Sequence, residues 1–345
     1  MQRRDFLSLT LPALGLSPLL ATGWPGPLAP QGAADGFVVR AGQSRFGVPM
    51  PFQGVSPNDL KISARDTAGG LALFDFEGRT TAGPALHQHV AQDEIFYVVE
   101  GDYLFQVGTQ KRLLHAGDTI FLPRQRPHTW VQRSAHGRLL YWVQPAGQLE
   151  DFFVFMSQQK ARLSDTDMAA VQARYGLQNV GPALSPTEDY ALTTILDTGF
   201  VVAAGAGRLG EHTRLGGRNP NDLKIAGRDT GNAFSLFEYT GHERGGPPLH
   251  VHPEQDEVFY VLSGTHRFRV GTAEHELSPG DLIFLPRAVP HTFAQLSEEG
   301  RLLFSFQPTG RMEDFFRAAA APHPSPNLFA DHGLRVVGPP LELKG

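Results

Sequence analysis

The chain contains no cysteine, which excludes disulfide staples, zinc ribbons and thiol catalysis together. Charged residues are sparse at 19% and sum to a net charge of −5. There is no basic excess to neutralise phosphates or an anionic bilayer, which argues against nucleic acid or a membrane surface as partner. Long hydrophobic runs are missing as well. The most apolar stretch, Leu7 to Ala21, is interrupted by Pro12 and Pro18 and is too short for a spanning helix. No stable membrane span is therefore expected in the mature form. What remains is a chain of 345 residues, 41% hydrophobic, with room for two domains that each bury a core. Glycine (38) and proline (27) are abundant, as expected for many short strands joined by turns.

Arg3-Arg4-Asp5-Phe6-Leu7 and the apolar run after it read as a twin-arginine signal. Residues 1–35 are expected to be signal peptide and leader, cleaved between Ala21 and Ala34. The twin-arginine export machinery is then a partner, and the protein is periplasmic or secreted. That route exports folded proteins, so a metal can be loaded before export. Otherwise the Irving–Williams order would favour copper or zinc in an exposed site.

From Gly36 the chain repeats itself. Gly36-Phe-Val-Val39 returns as Gly199-Phe-Val-Val202, a spacing of 163 residues. Pro57-Asn-Asp-Leu-Lys-Ile62 returns as Pro220 to Ile225, and Glu150-Asp-Phe-Phe153 as Glu313 to Phe316, at the same spacing. Only the C-terminal part of each copy departs: Gly176-Leu177 and Val180-Gly-Pro182 match Gly333-Leu334 and Val337-Gly-Pro339, so the second copy is six residues shorter. Residues before Gly36 have no counterpart, which independently marks them as removable. The domains are thus read as 36–184 and 199–345, joined by a linker at 185–198.

Within each copy, short alternating segments are punctuated by Gly101, Gly108, Gly117, Pro123 and Pro127 and their counterparts. This spacing suits an all-β double-sheet jelly-roll barrel, with helices at 150–159 and 165–175 packed outside.

The cluster that carries chemistry is His87-x-His89-xxxx-Glu94 with His128, repeated as His250-x-His252-xxxx-Glu257 with His291. Residues two apart on a strand face the same side, so each His-x-His pair can point into a barrel. Three imidazoles and one carboxylate suit a first-row divalent metal and leave two octahedral positions open. One ion per copy is expected, and manganese, iron, cobalt, nickel or copper all accept this shell. Glu94 and Glu257 can act as ligands or also as general bases. Strand parity puts Phe96 and Phe259 on the glutamates' face, and Trp130 and Phe293 on the face of the third histidines. These four are the candidates for lining a substrate pocket. Arg267 and Arg269 are expected outside, and His115, His136, His212, His242, His275, His323 and His332 at the surface.

The two motifs Gly83-xxx-His87-x-His89-xxxx-Glu94-xxxxxx-Gly101 and Gly117-xxxxx-Pro123-xxxx-His128 resemble those of the cupin superfamily, and the second copy repeats both. The chain as a whole resembles a bicupin, two tandem double-stranded β-helix barrels. Gln132 and Gln295 stand where an asparagine is common and are discounted. Asp93-Glu-Ile-Phe-Tyr-Val98, Asp256-Glu-Val-Phe-Tyr-Val261 and the terminal Gly-Leu-x-x-Val-Gly-Pro segments resemble quercetin 2,3-dioxygenase-like bicupins. The resemblance implies a metal-dependent dioxygenase acting on a flavonol-like aromatic substrate and O2. Glu94 or Glu257 would take the flavonol hydroxyl proton, and ring opening would release carbon monoxide. An oxalate decarboxylase or oxidase needs a cation inside the barrel, for which only Arg124 and Arg287 lie near a motif. A non-catalytic binding bicupin is the alternative from another class. Because the strand after Gly101 is uncharged while its partner carries His266, Arg267 and Arg269, the first barrel is expected to take the aromatic substrate.

Overall fold

The alternating segments fold as antiparallel strands because each places one set of side chains into a barrel. The computed structural model describes residues 35–343. The twin-arginine motif and the apolar run after it lie outside the described residues.

Each barrel is a large sheet facing a five-stranded one. In the first, the large sheet runs Phe200–Val202, Thr119–Leu122, Asp93–Glu100, Gly137–Gln144, Ala72–Gly78, Asn58–Ile62. Its small sheet runs Leu177–Ala183, Ala85–His89, His128–Gln132, Tyr103–Val107, Gln110–Leu114. The second barrel repeats this order and adds the strand Thr213–Leu215 at the edge of its large sheet. The repeated Gly-Leu-x-x-Val-Gly-Pro segment thereby gains a structural role. It forms the edge strand beside each His-x-His strand.

The repeat in sequence is not the unit in space. Phe37–Val39 pairs with Leu282–Leu285 of the second barrel, and Phe200–Val202 pairs with Thr119–Leu122 of the first. Each copy thus completes the other's large sheet, locked by Phe37 stacked on Phe284 and Phe200 on Phe121. The backs of the two large sheets bury Ile95, Tyr97, Leu140 and Trp142 against Phe234, Tyr260, Phe284 and Leu303. Both faces of Asp93–Glu100 are therefore covered, which is why it reads as a nearly continuous apolar run.

Charges sit in this interface in matched sets. Lys61 and Lys224 are fully buried. Lys61 Nζ donates to the carbonyls of Arg40 (3.2 Å) and Gln43 (2.7 Å) and lies 3.8 Å from Asp75. Asp75 accepts from Arg138 at 2.8 and 2.6 Å and from Tyr260 of the other barrel at 3.1 Å. The mirror set is Lys224, Glu238, Arg301 and Tyr97. Such buried pairs fix how two surfaces register more than they add net stability.

The helices Leu149–Ser157 and Asp165–Arg174 lie in the expected stretches. Their counterparts, Met312–Ala319 and Leu328–Asp331, are shorter.

Candidate metal centres and a cavity over one of them

Strand pairing brings the spaced ligands together. His87 sits directly opposite His128, and His250 opposite His291. Glu94 and Glu257 enter from the neighbouring large sheet. In each barrel the four ligand atoms lie within 4.8 Å of one another. The motif glycines permit this closeness. A Cβ on Gly83 would stand 1.7 Å from the Trp130 carbonyl, and one on Gly246 1.8 Å from that of Phe293.

The hydrogen bonds around the imidazoles fit a metal. His87 Nδ1 is 2.8 Å from the Ala85 carbonyl, His128 Nδ1 2.8 Å from that of Arg126, His250 Nδ1 2.8 Å from that of Pro248, and His291 Nδ1 2.9 Å from that of Val289. A carbonyl only accepts, so each Nδ1 carries the proton and each Nε2 presents a lone pair. Those lone pairs converge. His250 Nε2 lies 3.1 Å from His252 Nε2, His291 Nε2 3.0 Å from Glu257 Oε2, and His128 Nε2 3.1 Å from Glu94 Oε2. Lone pairs brought this close in a buried site call for a cation between them.

Burial, reinforced by the neighbouring histidines, lowers the His87 pKa to about 3; burial and His291 lower His250 to about 4. His87 and His250 are therefore neutral and able to ligate at neutral pH. The glutamates differ. Burial pushes Glu257 up, with His291 opposing it. Burial acts on Glu94 too, but His89 and His128 outweigh it and hold the carboxyl well below its usual range.

Above the second cluster lies a cavity of about 380 Å³, walled by Phe259, Phe293, Phe304, Phe306 and Phe316 and open to His250, His252, Glu257 and His291. That volume falls among small-molecule sites, which start near ~300 Å³. Phe259 and Phe293 therefore line this cavity. Phe96 and Trp130 face other rings. Phe96 packs between Phe105 and Tyr141, and Trp130 packs against Phe52, Phe76 and Tyr103.

The cavity thus lies over the second cluster, whereas the first barrel was expected to take the aromatic substrate. Arg267 and Arg269 face outward, half-buried, and leave the second barrel's interior apolar. His266 does turn inward and is fully buried, but at the far end of its strand from His291. It replaces Tyr103, whose hydroxyl donates to Gln132 at 3.2 Å. Gln132 and Gln295 are more than neutral departures. Fully buried, they clamp the carbonyls of Gly78 and Ser134, and of Gly241 and Ser297. Arg124 and Arg287 grip Asp93 and Asp256 with two bonds each, so neither is free inside a barrel.

Sequence reasoning missed Leu215, Tyr239, Phe315 and Phe329, all of which line the cavity. Phe329 lies 5.4 Å from the His250 ring. For Phe315 the signal available was the repeated Glu-Asp-Phe-Phe, which was read only as a mark of the duplication. Nothing local signalled the other three.

Comparison with known proteins agrees with this geometry. The cupin domain family model matches residues 72–143 and again 236–306. Quercetin 2,3-dioxygenase of Bacillus subtilis (strain 168) is 24% identical over 261 residues, 71% of this chain and 75% of the relative. Among solved structures, oxalate decarboxylase of Bacillus subtilis aligns with TM-score 0.50 at 13% identity, over 80% of this chain and 76% of that one. A glyoxylate-induced protein from Pseudomonas aeruginosa aligns with TM-score 0.52 at 15% identity, over 82% and 92%. The chain is built of two tandem cupin domains in a bicupin arrangement, each with a His/Glu metal-binding cluster.

Proposed function

We propose that this protein is an exported metal-dependent dioxygenase that cleaves a flavonol-like aromatic substrate with O2 in its second barrel. The observation that carries the reading is the phenylalanine-walled cavity of about 380 Å³ opening onto His250, His252, Glu257 and His291. A dianion the size of oxalate gains nothing from such walls. A flat aromatic gains its burial free energy there, at roughly 25 cal/mol per Å² removed from water.

His250, His252, His291 and Glu257 would hold the metal, which supplies Lewis acidity and, if redox-active, electrons for O2 chemistry. Manganese, iron, cobalt, nickel and copper all suit the donor set. Glu257 Oε2 is the proton acceptor for the substrate hydroxyl, and the surrounding rings exclude water from the resulting oxyanion. The similarity to quercetin 2,3-dioxygenase supports this chemistry.

The second reading is oxalate chemistry. One observation favours it: Arg244 stands at the cavity mouth and forms no ion pair among the described residues. The oxalate decarboxylase of Bacillus subtilis, similar in fold, has Mn(II) centres. Oxygen uptake and product analysis with a flavonol and with oxalate, after loading with each metal in turn, decide between the two. Oxalate consumption without flavonol consumption rejects the proposal.

Export rests on Arg3-Arg4-Asp5-Phe6-Leu7. Replacing both arginines by lysine should leave folded, metal-loaded protein in the cytoplasm, and unimpaired export would reject that assignment.

A further inference from the structure

We propose that Phe52 is an internal plug, occupying in the first barrel the aromatic subsite that the second barrel leaves free for its ligand. The inference deepens the reading of the second barrel as the substrate compartment and rests on it.

The two copies can be compared residue by residue at the constant spacing of 163. In the first, the Phe52 ring lies 5.8 Å from Trp130, tilted by 33°, and 5.8 Å from Phe76, edge-on at 88°. Phe76 and Trp130 are themselves 5.1 Å apart. Phe52 is held in this slot from several sides. Its backbone exchanges two hydrogen bonds with Ser56, at 2.8 and 3.2 Å. The turn between them uses left-handed conformations at Gln53 (φ 50) and Gly54 (φ 74). Gln53 Nε2 then donates to the carbonyl of the motif glycine Gly83 at 3.3 Å.

In the second barrel the walls of the slot persist and the plug is gone. Tyr239 and Phe293 replace Phe76 and Trp130 and stand 6.4 Å apart at 70°. Leu215 takes the place of Phe52, and Gly216 takes that of the tethering Gln53. All four line the cavity. A tilted ring wall and an edge-on ring wall, with no ring between them, form a site complementary to an aromatic ring. Tyr239 adds a hydroxyl that Phe76 lacks, able to bond a polar substituent on that ring.

The slot also has a defined place relative to the metal ligands. Phe293 lies two residues beyond His291 on one strand, or about 7 Å at ~3.3 Å per residue. The ligand class is therefore an elongated aromatic with two linked ring systems. One end reaches the histidines while the other ring fills the Tyr239–Phe293 slot.

The test uses the metal-loaded chain and 2-naphthol as an unreactive ring probe, with binding followed by equilibrium dialysis and tryptophan fluorescence. The wild type should bind one equivalent. Leu215→Phe should weaken naphthol binding at least tenfold while metal content stays unchanged. Phe52→Leu should raise the stoichiometry towards two, and the added site should quench Trp130, so that the quench disappears in Phe52→Leu/Trp130→Phe. The proposal is overturned if folded Leu215→Phe binds naphthol as tightly as the wild type. It is equally overturned if Phe52→Leu still binds one equivalent, a result that decides the matter alone should Leu215→Phe not fold. The naphthol results are independent of turnover. If they come out as expected and no flavonol is consumed, the dioxygenase reading fails and the subsite stands.

Discussion

Two copies of one barrel, carrying the same four ligands in the same register, differ in the side chains packed around them. In the first, Phe52 packs against Phe76 and Trp130. The second leaves about 380 Å³ above His250, His252 and His291. The difference extends outward. Over the first barrel's small sheet the connector is drawn in, with Leu196 buried in the core, Arg112 donating to the Thr193 carbonyl and the Asp197 amide donating to Gln110. The matching face of the second barrel carries Arg267 and Arg269. It differs inside too. Tyr141 donates to Asn58 at 2.8 Å, whereas Phe304 leaves the fully buried Asn221 amide without a partner among the described residues. Duplication thus preserved what binds a metal and let the side chains around it diverge.

The widest separation of the barrels should come from the glutamates. Glu257→Gln keeps a metal-binding oxygen but cannot take a proton, and it should lower aromatic-dependent oxygen uptake by about a hundredfold to ten-thousandfold. Glu94→Gln should stay within about threefold if the second barrel carries the reaction. Equal losses would return catalysis to both barrels.

Metal content sharpens the same contrast. His87→Ala should empty only the first site and His250→Ala only the second, each leaving one ion per chain by elemental analysis. Both should lower the unfolding temperature, because metal bound only to the native state adds about 2.7 kcal/mol at a free concentration one hundred times Kd. Loss of both ions from either variant would show that the sites are not independent.

A pH difference also sets the copies apart. Glu150 is buried beneath the first barrel, where burial raises its pKa to about 7 against the opposing bonds from the Ser63 hydroxyl and the Ala64 amide. Its counterpart Glu313 has Arg317 at 3.2 Å. Because the folded pKa of Glu150 lies above the unfolded 4.5, the folded state binds the proton more tightly. Its stabilising contribution is full below pH 4.5 and is lost as pH rises towards 7, on the order of 3 kcal/mol. Glu150→Gln should flatten this loss in urea unfolding at pH 5 and pH 8 with metal held constant. An unchanged slope would place the pH dependence elsewhere.

Smaller effects should follow the tyrosine. Tyr141→Phe strands the Asn58 carbonyl and should cost about 1–2 kcal/mol, whereas Phe304→Tyr should gain about 1 kcal/mol by giving Asn221 a partner. If Phe304→Tyr destabilises, its hydroxyl does not reach that amide. Smallest of all, Arg267→Gln with Arg269→Gln should change stability by no more than about 0.5 kcal/mol and leave naphthol binding intact. A large loss of binding would mean that these arginines serve the cavity after all.

The repeat, the strand parity, the inward histidines and the two ligand sets were all legible in the chain before folding. Each of these is local or periodic: a His-x-His pair shares a face on any strand, and a turn glycine marks its end wherever the strand goes. The terminal Gly-Leu-x-x-Val-Gly-Pro segments were visible as repeats, though not as the edge strands beside the ligands. Folding in three dimensions was needed to send Phe37–Val39 and Phe200–Val202 across to the other barrel, since nothing in a three-residue apolar strand distinguishes one complementary sheet edge from another. The same holds for Lys61 and Lys224, which become buried partners only where two sheets meet. Where the large cavity lies was settled there too. Cavity volume depends on side chains that meet from separate segments, Phe52 with Trp130 in one copy and Leu215 with Phe293 in the other. A charged strand such as His266-Arg-Phe-Arg269 misleads when its arginines point away from the interior, because polarity matters to a ligand only on the face that the fold turns towards it.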